Sequence, residues 1–211
     1  MTARGIPAPP RRAARAVAPR RGRDGTATRA RIEQEALVLF AQKGVDGTSV
    51  RDIALRAGLS EGALYRHFPS KEELARELFL SHYAALAAEI CAVDARAVPL
   101  PEKLKEVVAL ACRLFDEEPA LFAYLLIHQH DHLRHVPEVP EANVVEAVAL
   151  LLLRGAGLSA DRASLAGAMA LGCVVQPAVF ALYGRLKGPL SAHADAITRA
   201  VTGIVEGARG N

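Results

Sequence analysis

Tryptophan is absent from this chain of 211 residues, and aromatic residues make up only 5% of it. Cysteine is scarce as well: Cys91, Cys112 and Cys173 are odd in number and far apart, which argues against a disulfide framework and predicts buried thiols in a reducing cytoplasm. No run of about 18 apolar residues without a charge is identified, so no membrane span is expected. No apolar segment follows the arginine-rich start, which argues against a secretory signal.

The residues that are abundant favour an all-α fold. Hydrophobic residues make up 51% of the chain, Ala and Leu dominate, and no segment shows sustained β-branched alternation. Proline and glycine separate the periodic segments, and Pro177, inside one of them, is expected to kink or break its helix. About nine helices are predicted, over residues 28–43, 49–57, 60–67, 70–93, 101–115, 119–130, 141–154, 160–185 and 190–207.

Positive charge is concentrated in the first third of the chain. Residues 1–71 contain 14 Lys and Arg against 6 Asp and Glu, whereas residues 72–211 contain 12 against 17. Such an asymmetry is typical of a polyanion-binding module attached to a second domain. Half of the 14 cations lie in residues 1–25, which are rich in Arg and Pro and are predicted to be a disordered tail. A solvated basic tail is the alternative explanation of the charge.

Two short predicted helices joined by a glycine turn follow the first amphipathic helix. Ser49 and Asp52 have the spacing of a capping box that begins the second helix. Gly58 is placed to end that helix, and Ser60 to cap a third helix of barely two turns. Two short helices joined by a three- or four-residue turn containing glycine form a helix-turn-helix.

The third predicted helix has side chains suited to DNA. Gly62 and Ala63 keep its first turn thin enough to enter a major groove, where Ser60 and Glu61 can hydrogen-bond to base edges. A tyrosine hydroxyl, an imidazole N–H and an ammonium group near a helix N-terminus can all bind phosphate. The residues with these groups are Tyr65, His67 and Lys71. The sequence therefore predicts a DNA-binding module.

Residues 28–79, TRARIEQEALVLFAQKGVDGTSVRDIALRAGLSEGALYRHFPSKEELARELF, closely resemble the DNA-binding domain of tetracycline-repressor (TetR) family transcription regulators. The resemblance implies a three-helix helix-turn-helix domain over residues 26–80 and a larger helical ligand-binding and dimerisation domain over residues 81–211. With the first predicted helix included, the expected DNA-contacting residues are Thr28, Ser49, Val50, Arg51, Ser60, Glu61, Gly62, Ala63, Tyr65, Arg66, His67 and Lys71.

The same resemblance implies a function for the whole chain. It would be a repressor, not an enzyme, with no cofactor, that binds a palindromic operator in double-stranded DNA as a homodimer until a small-molecule effector releases it. Two faces are expected to pair the last two helices with their mates: the small residues Ala166, Gly167, Ala170 and Gly172, and the apolar residues Leu190, Ile197, Val201, Ile204 and Val205. By helical phase, the predicted effector cavity is lined by Leu86, Ile90, Phe115, Phe122, Leu125, Met169 and Gln176.

Two other functions stay open on the sequence. Residues 128–135, HQHDHLRH, place His128 and His132 at i, i+4, the spacing of two metal ligands, so a metal-binding or enzymatic helical protein would use them. A solvated, histidine-rich helix end requires no metal, and none is assigned. Alternatively, the basic tail would make the chain a non-specific architectural DNA binder whose affinity falls steeply as salt rises. No P-loop, G-x-G-x-x-G or H-E-x-x-H motif occurs.

Overall fold

Every regular element in the described part of the chain is helical. The computed structural model describes residues 21–127 and 130–210. The elements are α1 (Arg21–Lys43), α2 (Val50–Arg56), α3 (Glu61–Tyr65), α4 (Lys71–Asp94), α5 (Leu100–Glu117), α6 (Pro119–Phe122), a π-helical turn (Ala123–Ile127), α7 (His130–Leu133), α8 (Val144–Ala156), α9 (Ala160–Leu182), a 3-10 turn (Leu190–His193) and α10 (Ala194–Arg209). This confirms the predicted all-α fold class.

The first helix is longer than predicted. α1 extends back to Arg21, so Thr28 lies inside the helix and is not its N-cap. Residues 21–25 therefore belong to α1 and not to a disordered tail, while residues 1–20 of that tail lie outside the described residues. The predicted start depended on the periodic apolar face, which begins only at Ile32. Helical turns made of Arg, Ala and Thr carry no such periodic signal, although their propensities permit a helix.

Local signals correctly predicted the boundaries of the helix-turn-helix. The Ser49 hydroxyl oxygen accepts a hydrogen bond from the Asp52 amide at 3.0 Å, and the Asp52 carboxylate accepts one from the Ser49 amide at 3.4 Å, which confirms the capping box. Gly58 has a φ of +65° in the turn after α2. The Ser60 hydroxyl oxygen accepts from the Ala63 amide at 3.3 Å and begins α3.

α4 links the N-terminal helices to the larger C-terminal half. Its first half buries Leu74, Leu78 and Phe79 beside α1, and its second half packs beside α8 through Leu86 and Ile90. One continuous hydrophobic core therefore includes the helix-turn-helix and the C-terminal helices. This helix of 24 residues is therefore shared by both halves of the fold.

The single helix predicted over residues 119–130 is divided in the structure. Pro119 begins the short helix α6, and residues 123–127 continue it as a π-helical turn. A π-helical turn contains more residues than an α-helical one, so it shifts every later side chain relative to a 3.6-residue period. Helical phase counted through this segment from the sequence is therefore wrong.

α9 also differs from the expectations. Pro177 lies inside it without ending it. Ala166, Gly167 and Ala170 are buried, and a β-carbon on Gly167 would lie 3.5 Å from the Val148 side chain of α8. These small residues therefore pack α9 against its own chain. On α10, Val201 and Val205 are likewise buried within the chain, whereas Gly172 of α9 is exposed and Ile204 of α10 is half-buried, so only part of each predicted face stays available to a second copy.

α9 is long and apolar enough, by length and composition alone, to cross a membrane, with a mean hydropathy of 1.9 in its most apolar window. Residues 163–184 contain no charged side chain, which contradicts the expectation from the sequence. Only 28% of that window is buried inside the structure. The exposed remainder is an apolar surface that requires an explanation.

The turn after α2 yields a stability prediction for a matched pair of glycines. Gly58 has a left-handed backbone, whereas Gly62 is helical, and a β-carbon at either position would meet no heavy atom within 4 Å. We expect Gly58→Ala to lower the free energy of unfolding by about 1 kcal/mol through backbone strain alone. Gly62→Ala should leave it unchanged or raise it by up to about 1 kcal/mol. Urea unfolding measures both, and equal losses would contradict the strain argument.

The Asp116 carboxylate yields a pH-dependent prediction. It accepts hydrogen bonds from the Leu190 amide at 2.6 Å and the Ser191 amide at 3.0 Å, capping the 3-10 turn before α10. Partial burial opposes ionisation, but these bonds outweigh it and hold the pKa of Asp116 below its usual value. A lowered pKa stabilises the fold above pH of about 4, and this contribution is lost as pH falls through the folded-state pKa.

Asp116→Asn should therefore lower the free energy of unfolding at pH 7 by about 1 kcal/mol. In a chain of this size that loss lowers the midpoint of thermal unfolding by roughly 2–4 °C. The difference from the wild type should narrow as pH falls below about 4, because protonation removes the negative charge that makes the carboxylate the stronger acceptor for these two amides. Glu117→Gln, at an exposed neighbouring position, serves as the control. A difference that stays constant between pH 7 and pH 3 would contradict the assignment of this carboxylate as the cap.

Candidate DNA-binding surface and apolar cavity

One side of α3 is exposed and the other is buried. Leu64 and Phe68 are fully buried and fix the helix to the core. The opposite side presents Glu61, Gly62 and Arg66 as exposed residues and Tyr65 with 51% of its surface exposed. The structure therefore brings the predicted base-reading residues onto a single face of a short helix, as a recognition helix requires.

The remaining predicted DNA contacts surround this face. Ser49, Val50 and Arg51 lie at the N-terminus of α2, Ser60 at that of α3, and Lys71 at that of α4, while Ala63, His67 and Lys71 are half-buried. The hydroxyl oxygens of Ser49 and Ser60 accept capping bonds from backbone amides. A hydroxyl can accept one hydrogen bond and donate another, so both hydrogens can still be directed at phosphate. Thr28 is half-buried within α1.

Arg29 holds the C-terminal end of α3 in place, a role that sequence reasoning missed. Its guanidinium donates to the His67 carbonyl oxygen at 3.4 Å, lies 4.2 Å from the centre of the Phe68 ring, and forms ion pairs with Glu33 and Glu77. One side chain of α1 thus joins the residues that follow α3 to α4. Local spacing in the sequence carries no signal for contacts that span 38 and 48 residues.

Residues 58–62, GLSEG, also match the G-x-S-x-G pattern of α/β-hydrolase nucleophiles. In those enzymes the serine lies on a strained turn between a strand and a helix. Here the segment joins two helices, and the Ser60 hydroxyl caps α3. The match therefore arises from the turn and cap of the helix-turn-helix.

The C-terminal half contains a small, wholly apolar cavity of about 60 Å³. It lies between α4, α5, α8, α9, α10 and the π-helical turn. Only Leu86 and Ile90 of the residues predicted from helical phase line it. Its lining consists of Leu86, Ile90, Leu104, Val107, Val108, Leu110, Ala111, Leu126, Val144, Val148, Leu151, Leu152, Ala170, Leu171, Val174, Val175 and Val201.

The other predicted cavity residues do not line the cavity. Three of them are each one position away in the sequence from a residue that does. Leu126, Ala170 and Val175 line the cavity next to the predicted Leu125, Met169 and Gln176. The π-helical turn moves the phase between Leu125 and Leu126, whereas on α9 the predicted face is the exposed one. A further pair packs as a core contact outside the cavity lining, with ring centres 5.2 Å apart: Phe115 and Phe122.

An aromatic junction, consisting of Phe40, Phe79, Tyr124 and His132, connects this half to the helix-turn-helix. The Tyr124 hydroxyl donates to the Ala75 carbonyl oxygen of α4 at 2.6 Å, and its ring lies 6.0 Å from that of Phe40 in α1. Burial raises the pKa of Tyr124. The His132 ring stacks on Phe79 with centres 4.8 Å apart, and its Nε2 lies 3.3 Å from the Tyr124 hydroxyl.

His132 differs from a residue of a solvated helix end, whereas His135 of the same segment is exposed. His132 is buried in the aromatic junction because its ring is flat enough to stack on Phe79. His128, its proposed metal-binding partner, lies outside the described residues. Within the described part of the chain, no group of three His, Cys, Asp or Glu side chains is arranged to hold a metal ion. All three cysteines are free, and Cys112 is fully buried.

A continuous apolar face covers the outside of α9 and α10. On α9 it presents large side chains, of which Leu165 is 63% and Met169 44% exposed. On α10 it presents small residues at helical spacing, which form shallow grooves beside Met169. They are Ala196, Ala200, Gly203 and Gly207. This face therefore carries large side chains on one helix and small ones on the next.

Comparison with known proteins agrees with this architecture. Residues 32–78 match the model of the bacterial regulatory proteins of the tetR family. The transcriptional repressor KstR2 of Mycobacterium tuberculosis is 34% identical over 121 residues, which cover 56% of this chain and 57% of that protein. The chain thus aligns with little more than half the length of this relative.

Two solved structures share the fold. The fatty acid degradation regulator FadR of Bacillus halodurans has a TM-score of 0.67 at 20% identity, over 82% of this chain and 94% of that one. The regulator FadR of Bacillus subtilis, solved in complex with stearoyl-CoA, has a TM-score of 0.62 at 19% identity, over 82% and 96%. These two structures share the fold of the chain, and the tetR-family model matches its helix-turn-helix over residues 32–78, so this segment is similar to the DNA-binding part of that family.

Proposed function

We propose that the chain is a cytoplasmic transcriptional repressor that binds a palindromic DNA operator as a homodimer and is released by an apolar small-molecule effector. The observation that carries the proposal is the exposed face of α3. Its polar and small residues are presented outward while Leu64 and Phe68 hold the helix in the core. A helix presented in this way enters a major groove with its first turn against the bases.

The proposed contacts divide into two kinds. Glu61, Gly62 and Ala63 would meet base edges, and Arg66 would extend the same face. The remaining predicted contacts would position the helix on the phosphates. Their chemistry supports this role, since hydroxyl, imidazole and ammonium groups are phosphate donors, and Lys71 begins α4, where the helix dipole also attracts an anion.

Tyr65 and Lys71 yield a prediction for operator binding. A duplex selected by the protein from random-sequence DNA should bind about tenfold more weakly to Tyr65→Phe, which loses only the phosphate-directed hydroxyl. Lys71→Ala should weaken binding and reduce the dependence of log affinity on log salt by about one unit. Fluorescence anisotropy at several salt concentrations measures both. Lys105→Ala, an exposed lysine of α5, is the matched control and should change neither quantity.

A genome-wide pulldown distinguishes the alternatives. Sharp palindromic sites that disappear in Tyr65→Ala are expected of a repressor that reads sequence. Diffuse binding that survives this substitution, but disappears when residues 1–25 are removed, would mean that the basic tail binds DNA without sequence preference and would contradict the proposal.

The cavity supports an apolar effector. All 17 of its lining residues are apolar, and cavities of this kind exclude water. Its present volume of about 60 Å³ is well below the roughly 300 Å³ at which small-molecule sites begin, so an effector would have to bind an expanded state. The Bacillus subtilis fold neighbour binds stearoyl-CoA, whose long hydrocarbon chain agrees with an apolar site.

The π-helical turn offers a route from the cavity to the DNA-binding helices. Leu126 lines the cavity, and Tyr124, two residues earlier, is hydrogen-bonded to Ala75 near the start of α4 and packed on Phe40 of α1. An effector that pushes Leu126 outward would displace Tyr124 with it. Since α4 follows the recognition helix, its movement would change the separation of the two recognition helices in the dimer, which must match about 34–36 Å.

The apolar face of α9 and α10 supports the homodimer. We propose that Leu165 and Met169 of one copy pack against the small residues of α10 in the other. This arrangement would bury the uncharged surface of α9 that the chain itself leaves exposed. It shares Gly172 and Ile204 with the faces predicted from the sequence, whereas Ala166, Gly167, Ala170 and Val201 are buried within the chain.

Met169→Glu should therefore shift the protein from dimer to monomer. A carboxylate buried in the interface without a partner would weaken association at least tenfold. Sedimentation equilibrium should give twice the chain mass of 22.4 kDa for the wild type and a lower average mass for the variant. Val139→Glu provides the control, because Val139 is 45% exposed, like Met169, but lies outside this face. An unchanged mass for Met169→Glu would contradict the proposed interface.

A further inference from the structure

The hydroxyl of Tyr83 is the one buried side-chain polar atom among the described residues that has no hydrogen-bond partner. The residue is fully buried in α4, with its ring stacked on Phe79 at 4.9 Å between centres. The Val145 amide lies close enough to lower the pKa of this hydroxyl, but that amide already donates to the Asn143 side-chain oxygen at 3.0 Å. Whatever the Val145 amide contributes, the hydrogen of the tyrosine hydroxyl has no acceptor.

Tyr83 lies one helical turn from a residue of the apolar cavity without lining the cavity itself. Leu86 and Ile90 follow Tyr83 on the same side of α4 at i+3 and i+7, and both line the cavity. Val144, which directly precedes Val145, lines it as well. An effector would therefore reach the Tyr83 hydroxyl in the expanded state of the cavity, where α4 meets the start of α8.

An unpartnered buried hydroxyl costs about 1–3 kcal/mol, and nearly all buried polar groups in native proteins are satisfied. Burial raises the pKa of Tyr83 to about 12, so at neutral pH the group stays protonated and can donate. The Tyr83 hydroxyl would therefore recognise an acceptor oxygen on an effector. The part of that effector in contact with the cavity walls would be apolar.

We propose that Tyr83 is an effector-binding residue whose hydroxyl donates a hydrogen bond to an acceptor oxygen, of the ketone, ester, lactone or carboxyl class, on an otherwise apolar effector. This inference rests on the proposed function in taking the cavity as the effector site. It adds the polar group that the cavity lining lacks, since an apolar cavity alone selects by size and shape and fixes no orientation. The effector would lie with its oxygen toward α4 and α8 and its hydrocarbon part toward α5 and α9.

Two probes that differ in a single atom test the proposal. 2-Octanone has a carbonyl oxygen where 2-methyl-1-octene has a methylene group of similar shape. Headspace gas chromatography over solutions of the full-length protein measures how much of each volatile probe is bound. Tyr83→Phe should weaken binding of the ketone about tenfold and change binding of the alkene by less than about twofold. Equal weakening of both probes would mean that Tyr83 acts through packing and would overturn the proposal.

Thermal unfolding without any probe gives an independent readout, with Tyr124→Phe as the matched control. Both tyrosines are buried, but only the Tyr124 hydroxyl donates a hydrogen bond, at 2.6 Å. Tyr124→Phe should lower the unfolding midpoint by roughly 2–4 °C, whereas Tyr83→Phe should leave it unchanged or raise it. A fall for Tyr83→Phe equal to that for Tyr124→Phe would show that its hydroxyl has a partner, and would overturn the proposal.

The outcomes separate this inference from the proposed function. Failure of both probes to bind the wild type would overturn the role of Tyr83 and the cavity as an effector site, while operator binding through α3 would be unaffected. Selective loss of the ketone in a protein that binds no operator would support the role of Tyr83 and contradict the repressor.

Discussion

The contact on which both halves of the molecule depend is the one between Tyr124 and α4. A buried phenol hydroxyl needs an acceptor, and Tyr124 finds it in the Ala75 carbonyl oxygen at 2.6 Å. Around this bond, Phe40 of α1 and Phe79 of α4 pack against the same ring. Because dense packing admits few intermediate positions, the π-helical turn, α1 and α4 cannot move independently. These contacts join the segment that contains the cavity residue Leu126 to the two helices that pack around the helix-turn-helix.

Side-chain size determines which surfaces of α9 are used inside the chain and which are left for a partner. Small residues such as Gly167 allow α8 to approach α9 closely, so they are buried against another helix of the same chain. Its large residues, such as Leu165 and Met169, remain outside beside the small residues of α10. A single chain cannot bury both surfaces, because α9 would need a neighbour on each side. The same uncharged helix that satisfies the length test for a membrane span thus fits a two-fold interface equally well.

The sequence predicted those features whose cause is local. The caps at Ser49 and Ser60, and the left-handed Gly58, depend on residues within four positions of one another, and the structure confirms them. Prediction from the sequence failed for features that depend on residues far apart in the chain. Arg29 acquires its role from contacts to α3 and α4, and the cavity lining depends on a π-helical turn that no 3.6-residue count reveals. Gly167 looked like an interface residue because size alone does not tell which neighbour approaches.

Two features that cost stability occur side by side in the C-terminal half. The walls of the apolar cavity forfeit dispersion contacts with one another, and the hydrogen of the Tyr83 hydroxyl has no acceptor among the described residues. Selection for stability alone would remove both, by a larger side chain in the lining and by phenylalanine at position 83. Departures from good packing and polar satisfaction concentrate at functional sites. One ligand with a hydrocarbon body and a single acceptor oxygen would supply both the missing dispersion contacts and the missing hydrogen bond. Its binding would therefore stabilise the expanded state relative to the state that fits DNA.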